Sequence, residues 1–297
     1  MAKIIINGGK TLNGEVKISG AKNAVLPIMS ATLLCPGKFT IYNVPDLRDT
    51  RTMMQLLEIT GAKTSFENGT VHVDTNDVNN PEAPYDLVKT MRASFYVLGP
   101  LISRFGKVQV SLPGGCAWGP RPVDYHLKGL EKLGANLDLE GGNILAEVNE
   151  LVGCDIHFEF PSVGATGNLA MAAVRAKGVT RLFNCAKEPE ITQLCEFLNS
   201  MGANIKGIGT DSLVIEGVKE LNQADITVIP DRIEAGTFLM AGALNGEIKI
   251  NNVIPLHLEK VTNKLIETGC QININDDSIS ITPPENLKSV EIGRAHV

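Results

Sequence analysis

Aromatic side chains are scarce in this sequence. Phenylalanine, tryptophan and tyrosine together make up 5% of its 297 residues, and there is a single tryptophan. The core must therefore be aliphatic, and the 43% hydrophobic content, rich in Ile, Leu, Val and Ala, is enough to build one. There is no long basic run and the formal net charge is −6, which argues against a nucleic-acid or membrane-surface partner. No apolar run approaches the roughly 20 residues of a membrane span. The opening MAKIIINGGKTLNGE has only three consecutive isoleucines, too few for the apolar centre of a signal peptide. None of the six cysteines, Cys35, Cys116, Cys154, Cys185, Cys195 and Cys270, lies in a CxxC pair, and their scatter through apolar segments reads as reduced thiols in a cytoplasmic protein. The five histidines do not cluster and no metal-ligand spacing occurs, so no metal or other cofactor is expected.

What the sequence does contain is a repeat. The segments LLEITGAK, GLEKLGAN, FLNSMGAN and KLIETGCQ read as helix ends, each closed by a glycine suited to a left-handed cap. Those glycines, Gly61, Gly134, Gly202 and Gly269, are 73, 68 and 67 residues apart. Paired strands follow each one, among them TVHVD, NILAEV, SLVIEG and SISITP. Upstream lie AKNAVLPIMSATLL, TMRASFYVLGPLIS, GATGNLAMAAVRA and RIEAGTFLMAGAL, apolar nearly all round and so expected to be buried helices. Between the two helices of each unit comes a strand opened by glycine: GKFTIYNV, GKVQVSL, GVTRLFN and GEIKINN. The unit is strand, buried helix, strand, amphipathic helix, strand, strand, with helices inside and sheets outside.

Short motifs on this frame carry chemistry. SLPGGCAWGPRPVD puts Cys116 in a loop of glycines and prolines, followed by Arg121 and Asp124, where a thiol has little core to pack into. Together with SGAKNAVLP, YDLVKTMRAS, PSVGAT, KEPEI and PDRIEAGTFL, this loop resembles the UDP-N-acetylglucosamine 1-carboxyvinyltransferases, and the resemblance runs in order from Met1 to about Val290. It implies an α/β fold, the two-domain inverse α/β barrel of enolpyruvyl transferases, with four of six units present. Residues 20–230 are then a first domain of three units, and residues 1–19 with 231–291 an incomplete second domain whose lone unit cannot cover TFLMAGAL. The implied reaction moves the enolpyruvyl group of phosphoenolpyruvate to the 3-hydroxyl of UDP-N-acetylglucosamine with release of phosphate, the first committed step of peptidoglycan precursor synthesis. The implied state is a cytoplasmic monomer with these two small-molecule substrates as its partners.

The same resemblance assigns roles. Lys22 and Asn23 meet phosphoenolpyruvate. Arg92, Arg121, Pro122, Val123, Asp124, Ser162, Val163 and Gly164 meet the nucleotide sugar, the last three at a helix start whose N–H groups suit a diphosphate. In isolation the lysine and arginines would read as solvated surface charges, and PSVG as a strand-to-helix turn. Cys116 is the general acid toward the methylene carbon, in a mobile lid, and the target of fosfomycin. Glu188 and Glu190 receive no catalytic step, and Asp231 is not the base. Trp118 and Tyr125 depart from the family's usual smaller or aliphatic residues. The resemblance places the base and further arginines beyond the present chain, so residues 1–297 alone are expected not to turn over. The final IGRAHV, residues 292–297, fits no further repeat element and back-translates to a sequencing-library adapter. Two rivals remain: the sister transferase acting on shikimate 3-phosphate, against which SGAKNA and PGGC argue, and a non-catalytic UDP-sugar-binding homologue.

Overall fold

A computed structural model of the chain describes residues 3–88, 91–112 and 123–293. It divides into two compact units, Lys22–Ile229 and Met1–Ala21 with Pro230–Val297. Among the described residues one element order recurs four times. The first repeat is β1 (Gly14–Lys17), α1 (Lys22–Ala31), β2 (Lys38–Tyr42), α2 (Arg48–Ile59), β3 (Lys63–Glu67) and β4 (Thr70–Asp74). The second is β5 (Glu82–Ala83), a short α3 (Tyr85–Val88), α4 (Leu98–Phe105), β6 (Lys107–Ser111), α5 (Asp124–Lys132), β7 (Asn136–Glu140) and β8 (Asn143–Glu147). The third is β9 (Asp155–His157), α6 (Val163–Ala173), β10 (Val179–Phe183), α7 (Pro189–Ser200), β11 (Asn204–Lys206) and β12 (Ser212–Glu216). The fourth is β13 (Ile226–Thr227), α8 (Arg232–Asn245), β14 (Ile248–Asn251), α9 (Glu259–Glu267), β15 (Gln271–Ile274) and β16 (Ser278–Thr282).

The larger unit holds the four-stranded sheets β13-β2-β4-β3, β5-β6-β8-β7 and β11-β12-β10-β9, and the smaller holds β1-β14-β16-β15. Each sheet has one parallel pair and two antiparallel pairs. β9 pairs with β10 and β5 with β6, each within its own repeat. The first and fourth repeats exchange leading strands: β1 pairs with β14 and β13 with β2. The segments after β1 and β13 run side by side, with Gly20 opposite Pro230.

Alternation places one face of each sheet inward. Phe39 and Ile41 stand opposite Val73 and Val71, and Val108 and Val110 opposite Ala146 and Ile144. Leu182 faces Leu213, while Ile248 and Ile250 face Ile281 and Ile279. These residues are all buried. Helices α1 and α6 are covered nearly all round, and they pack on other helices of the larger unit. Within the larger unit the helices are therefore central and the sheets peripheral, as the apolar helix faces require.

The four glycines close their helices in one way. Gly61, Gly134, Gly202 and Gly269 have φ of 103°, 98°, 102° and 100°. Each glycine N–H and the next residue's N–H donate to carbonyls of the last helical turn, as in Gly61 to Glu58 at 3.0 Å and Ala62 to Leu57 at 3.1 Å. This is the doubly bonded left-handed cap. A second device recurs after the strands: Asn43, Asn184 and Asn252 all have φ near 57–58°. Their amides donate to Val228 O, Phe158 O and Ile18 O respectively, which ties each turn to the chain leaving the parallel partner strand.

One buried helix differs from expectation, and the fourth is left part-uncovered as a lone unit requires. TMRASFYVLGPLIS is not one helix but a 3-10 segment, Arg92–Val97, followed by α4. Pro100 has no N–H for the carbonyl four residues back, which weakens the α ladder on its N-terminal side. The fourth buried helix is covered on one side only. Ala235, Leu239 and Ala243 of α8 pack over the sheet isoleucines, whereas Ile233, Met240 and Leu244 are 51%, 52% and 74% exposed. A single sheet in this unit can cover only one face of a helix that is apolar all round.

Candidate active site

The candidate residues within Lys22–Ile229 cluster at helix starts. Lys22 is the first residue of α1, Arg92 opens the 3-10 segment, and Asp124 opens α5. Ser162 caps α6, its Oγ accepting from the Ala165 N–H at 3.3 Å. Val163 and Gly164 are then the first two helical residues, whose N–H groups have no intrahelical acceptor. Lys22 sits where the helix dipole already gives positive potential and α1 has no acidic residue in its first turn, so this end of α1 favours an anion. Lys22 Nζ lies 3.1 Å from Asp49 Oδ2 at the start of α2, both side chains part-exposed, while Asn23 beside it is exposed.

Three of these starts converge around a histidine that the motif reading did not select. His126, in the first turn of α5, is buried. Its ring meets Phe95 edge-on at 4.9 Å, and its Nδ1 lies 3.0 Å from Asn168 Nδ2. The Asn168 amide also donates to Phe95 O at 2.9 Å, and its Oδ1 accepts from the Gly99 N–H at 2.6 Å. An amide nitrogen only donates, so Nδ1 accepts and the neutral ring carries its proton on Nε2. Burial first, and the charge of Arg92 second, push the His126 pKa down to about 3. A Cβ on Gly164 would stand 3.1 Å from Nε2, so the donor edge of the ring faces the start of α6. Tyr96 completes the link, its hydroxyl 3.4 Å from Val163 O. Burial raises its phenol pKa and Arg92 opposes that rise.

The neighbouring positions are tied down locally. The Tyr125 hydroxyl accepts from the Phe160 N–H at 3.3 Å and its ring packs edge-on against Phe158, which ties α5 to the segment entering α6. Glu188 stands at the cap of α7 and Glu190 is buried in its first turn. Asp231 accepts from Ile233 N at 2.8 Å and Glu234 N at 3.2 Å, so its carboxylate caps α8. Cys116, Trp118, Arg121 and Pro122 lie outside the described residues. Where three repeats carry the left-handed asparagine after the second strand, the second repeat has Leu112 and then runs into Pro113–Pro122. The repeat thus breaks at the segment that carries the candidate thiol. Among the described residues no group of three or more His, Cys, Asp or Glu could hold a metal ion, and no helix is long and apolar enough to cross a membrane.

Comparison with solved proteins defines the class. The enolpyruvyl transferase NikO of Streptomyces tendae superposes with a TM-score of 0.85 at 24% identity, over 94% of this chain and 68% of that one. An EPSP synthase of Acinetobacter baumannii gives 0.74 at 17% identity, over 96% and 69%. The fold is that of the enolpyruvyl transferases. Residues 6–296 match the EPSP synthase (3-phosphoshikimate 1-carboxyvinyltransferase) family. The chain is 54% identical to the UDP-N-acetylglucosamine 1-carboxyvinyltransferase of Chlorobaculum parvum over 98% of its own length and 70% of the relative's. The enzyme of the same name from Campylobacter hominis is 50% identical over 97% and 69%. The chain belongs to the EPSP synthase family, on its UDP-N-acetylglucosamine 1-carboxyvinyltransferase branch.

Proposed function

We propose that the activity of this chain's family is transfer of the enolpyruvyl group from phosphoenolpyruvate to the 3-hydroxyl of UDP-N-acetylglucosamine, with release of phosphate. The observation that carries the acceptor side is the convergence of Arg92, neutral His126 and the start of α6. A polyanionic nucleotide sugar needs fixed donors, and this cluster offers a planar guanidinium, an Nε2–H and the Val163 and Gly164 N–H groups. A neutral histidine donates without adding a charge that solvent would have to screen. The resemblance assigns Arg121, Pro122, Val123 and Asp124 to the nucleoside, and of these Val123 and Asp124 stand at the start of α5. Lys22 and Asn23 serve phosphoenolpyruvate, where the lysine and the helix dipole act on its carboxylate or phosphate with the same sign.

In this reading Cys116 protonates the methylene carbon, which makes the adjacent carbon electrophilic. The sugar hydroxyl adds there as its proton passes to a general base, and loss of phosphate with a proton from the newly formed methyl group restores the double bond. The protein acts as a monomer. Half-identity to enzymes named for UDP-N-acetylglucosamine favours that acceptor over shikimate 3-phosphate. Calorimetry on the chain tests the choice: UDP-N-acetylglucosamine binds saturably, shikimate 3-phosphate does not, and Arg92→Ala weakens the former about tenfold. Equal binding of both ligands, or no effect of the substitution, overturns it.

A further inference from the structure

A cavity of about 810 Å³ lies within Lys22–Ile229, away from the helix starts described above. Its walls come from the C-terminal end of α4, the segment after β8, the segment after α6 and the segment after β12. The volume falls in the range of small-molecule sites. Its charges are Arg104, Arg175, Lys177 and Lys219 against the single carboxylate of Glu150, a local excess of three positive charges in a chain of net charge −6.

The two arginines are the telling part. Arg104 donates to Leu33 O at 3.1 Å and Thr75 O at 3.2 Å, and Arg175 to Leu34 O at 2.9 Å. The Leu33 and Leu34 carbonyls end the helical run of the first repeat and the Thr75 carbonyl follows β4; together they hold both guanidiniums in place, yet they use three of the ten N–H donors the pair carries. Among the described residues neither arginine has a carboxylate within 4.0 Å. Burial lowers the Arg104 pKa, and the Arg175 charge adds to that. Two partly buried cations therefore line one cavity with no carboxylate on either, an arrangement that an anion stabilises. On the same wall the buried hydroxyl of Ser103 has no partner among the described residues.

The cavity is also preformed. Val148 N donates to Gly106 O at 2.7 Å, Lys177 N to Leu151 O at 2.7 Å, and Val218 N to Val174 O at 2.8 Å. A Cβ on Gly217 would fall 1.6 Å from Ala176 O, so glycine is required for these walls to approach. We propose that this cavity is a second anion site, separate from the candidate active site, which takes a small phosphorylated molecule: Arg104 and Arg175 bind its phosphate at the base, and Lys177 and Lys219 close over it at the rim. The site does not depend on the acceptor assigned above.

The test uses inorganic pyrophosphate and the amide resonances of the full chain. Pyrophosphate shifts Gly106, Gly178 and Gly217 saturably, and the affinity falls as salt shortens the range of the charges. Lys177 and Lys219 are exposed, so the double variant Lys177→Gln/Lys219→Gln folds, and it weakens these shifts about tenfold. Lys22→Ala, at the candidate active site, leaves them unchanged. Shifts confined to Gly164 and its neighbours, no saturable shift at the three glycines, or indifference to the double variant overturns the proposal.

Discussion

His126 sits at the centre of the candidate site, and its titration is measurable. The unfolded histidine takes up a proton near pH 6.5, whereas the folded one is held to about 3 by burial and by Arg92. Above the unfolded value both states are neutral and His126 adds no pH dependence. As pH falls through the interval between the two values the unfolded chain alone binds the proton, so stability present above pH 6.5 is lost. The slope is about 1.4 kcal/mol per pH unit from this one group. Urea denaturation between pH 6.5 and 4 should show that slope, and His126→Gln should remove it; an identical slope in the variant would place the titration elsewhere. Cysteine reactivity is a second test at this scale. Burial raises the thiol pKa of Cys35, takes that of Cys185 up to about 11 and that of Cys195 up to about 12, so these are poor nucleophiles at neutral pH. Fosfomycin should therefore label Cys116 first by site-resolved mass spectrometry, and preferential labelling of Cys35 or Cys195 counts against its role. Lys22, Arg92 and the PSVG segment stand out in the sequence because each sits in a motif. His126 and Asn168 do not, because a lone histidine and a mid-helix asparagine look like filler until α5 and α6 are brought together.

At the scale of elements, glycine does two separate jobs. Gly202 needs φ of 102°, so Gly202→Ala should cost about 1–2 kcal/mol in urea denaturation without changing the fold. Gly99 has an ordinary φ, but a Cβ there would stand 2.3 Å from Asn168 O, where α4 crosses α6. Gly99→Ala should cost about 3 kcal/mol, at the top of the overpacking range. It should also disturb His126 through Asn168, seen as a changed pH slope; a cost equal to that of Gly202→Ala with an unaltered slope would separate Gly99 from the site. The capping glycines were readable because their spacing repeats, and so was the alternation of the sheet strands. The 3-10 start of the second buried segment was not read, although Pro100 was in plain view, because apolar periodicity alone extends a helix through a proline. The left-handed asparagines were missed as well. Their absence from the second repeat is a sequence-level mark of the thiol loop, visible once the four repeats are aligned by strand.

At the scale of the whole molecule, the repeat frame and the central-helix arrangement followed from sequence. The strand exchange between the first and fourth repeats did not follow from the periodicity, because β1 and β13 are short and pair with strands more than 180 residues away. The two units should differ in stability. In Lys22–Ile229 the helices α1 and α6 are covered nearly all round, whereas α8 leaves Ile233, Met240 and Leu244 exposed. Native-state hydrogen exchange should find α8 opening at lower free energy than α6, and equal protection would mean that α8 is covered in solution.

The most direct measurement is hydrogen–deuterium exchange of the chain read peptide by peptide with each acceptor in turn. UDP-N-acetylglucosamine should protect residues 92–97, 123–130 and 161–168, where Arg92, His126 and the start of α6 meet, and shikimate 3-phosphate should leave them unchanged. Equal protection by shikimate 3-phosphate, or protection that UDP-N-acetylglucosamine confers only outside these three segments, would contradict the account.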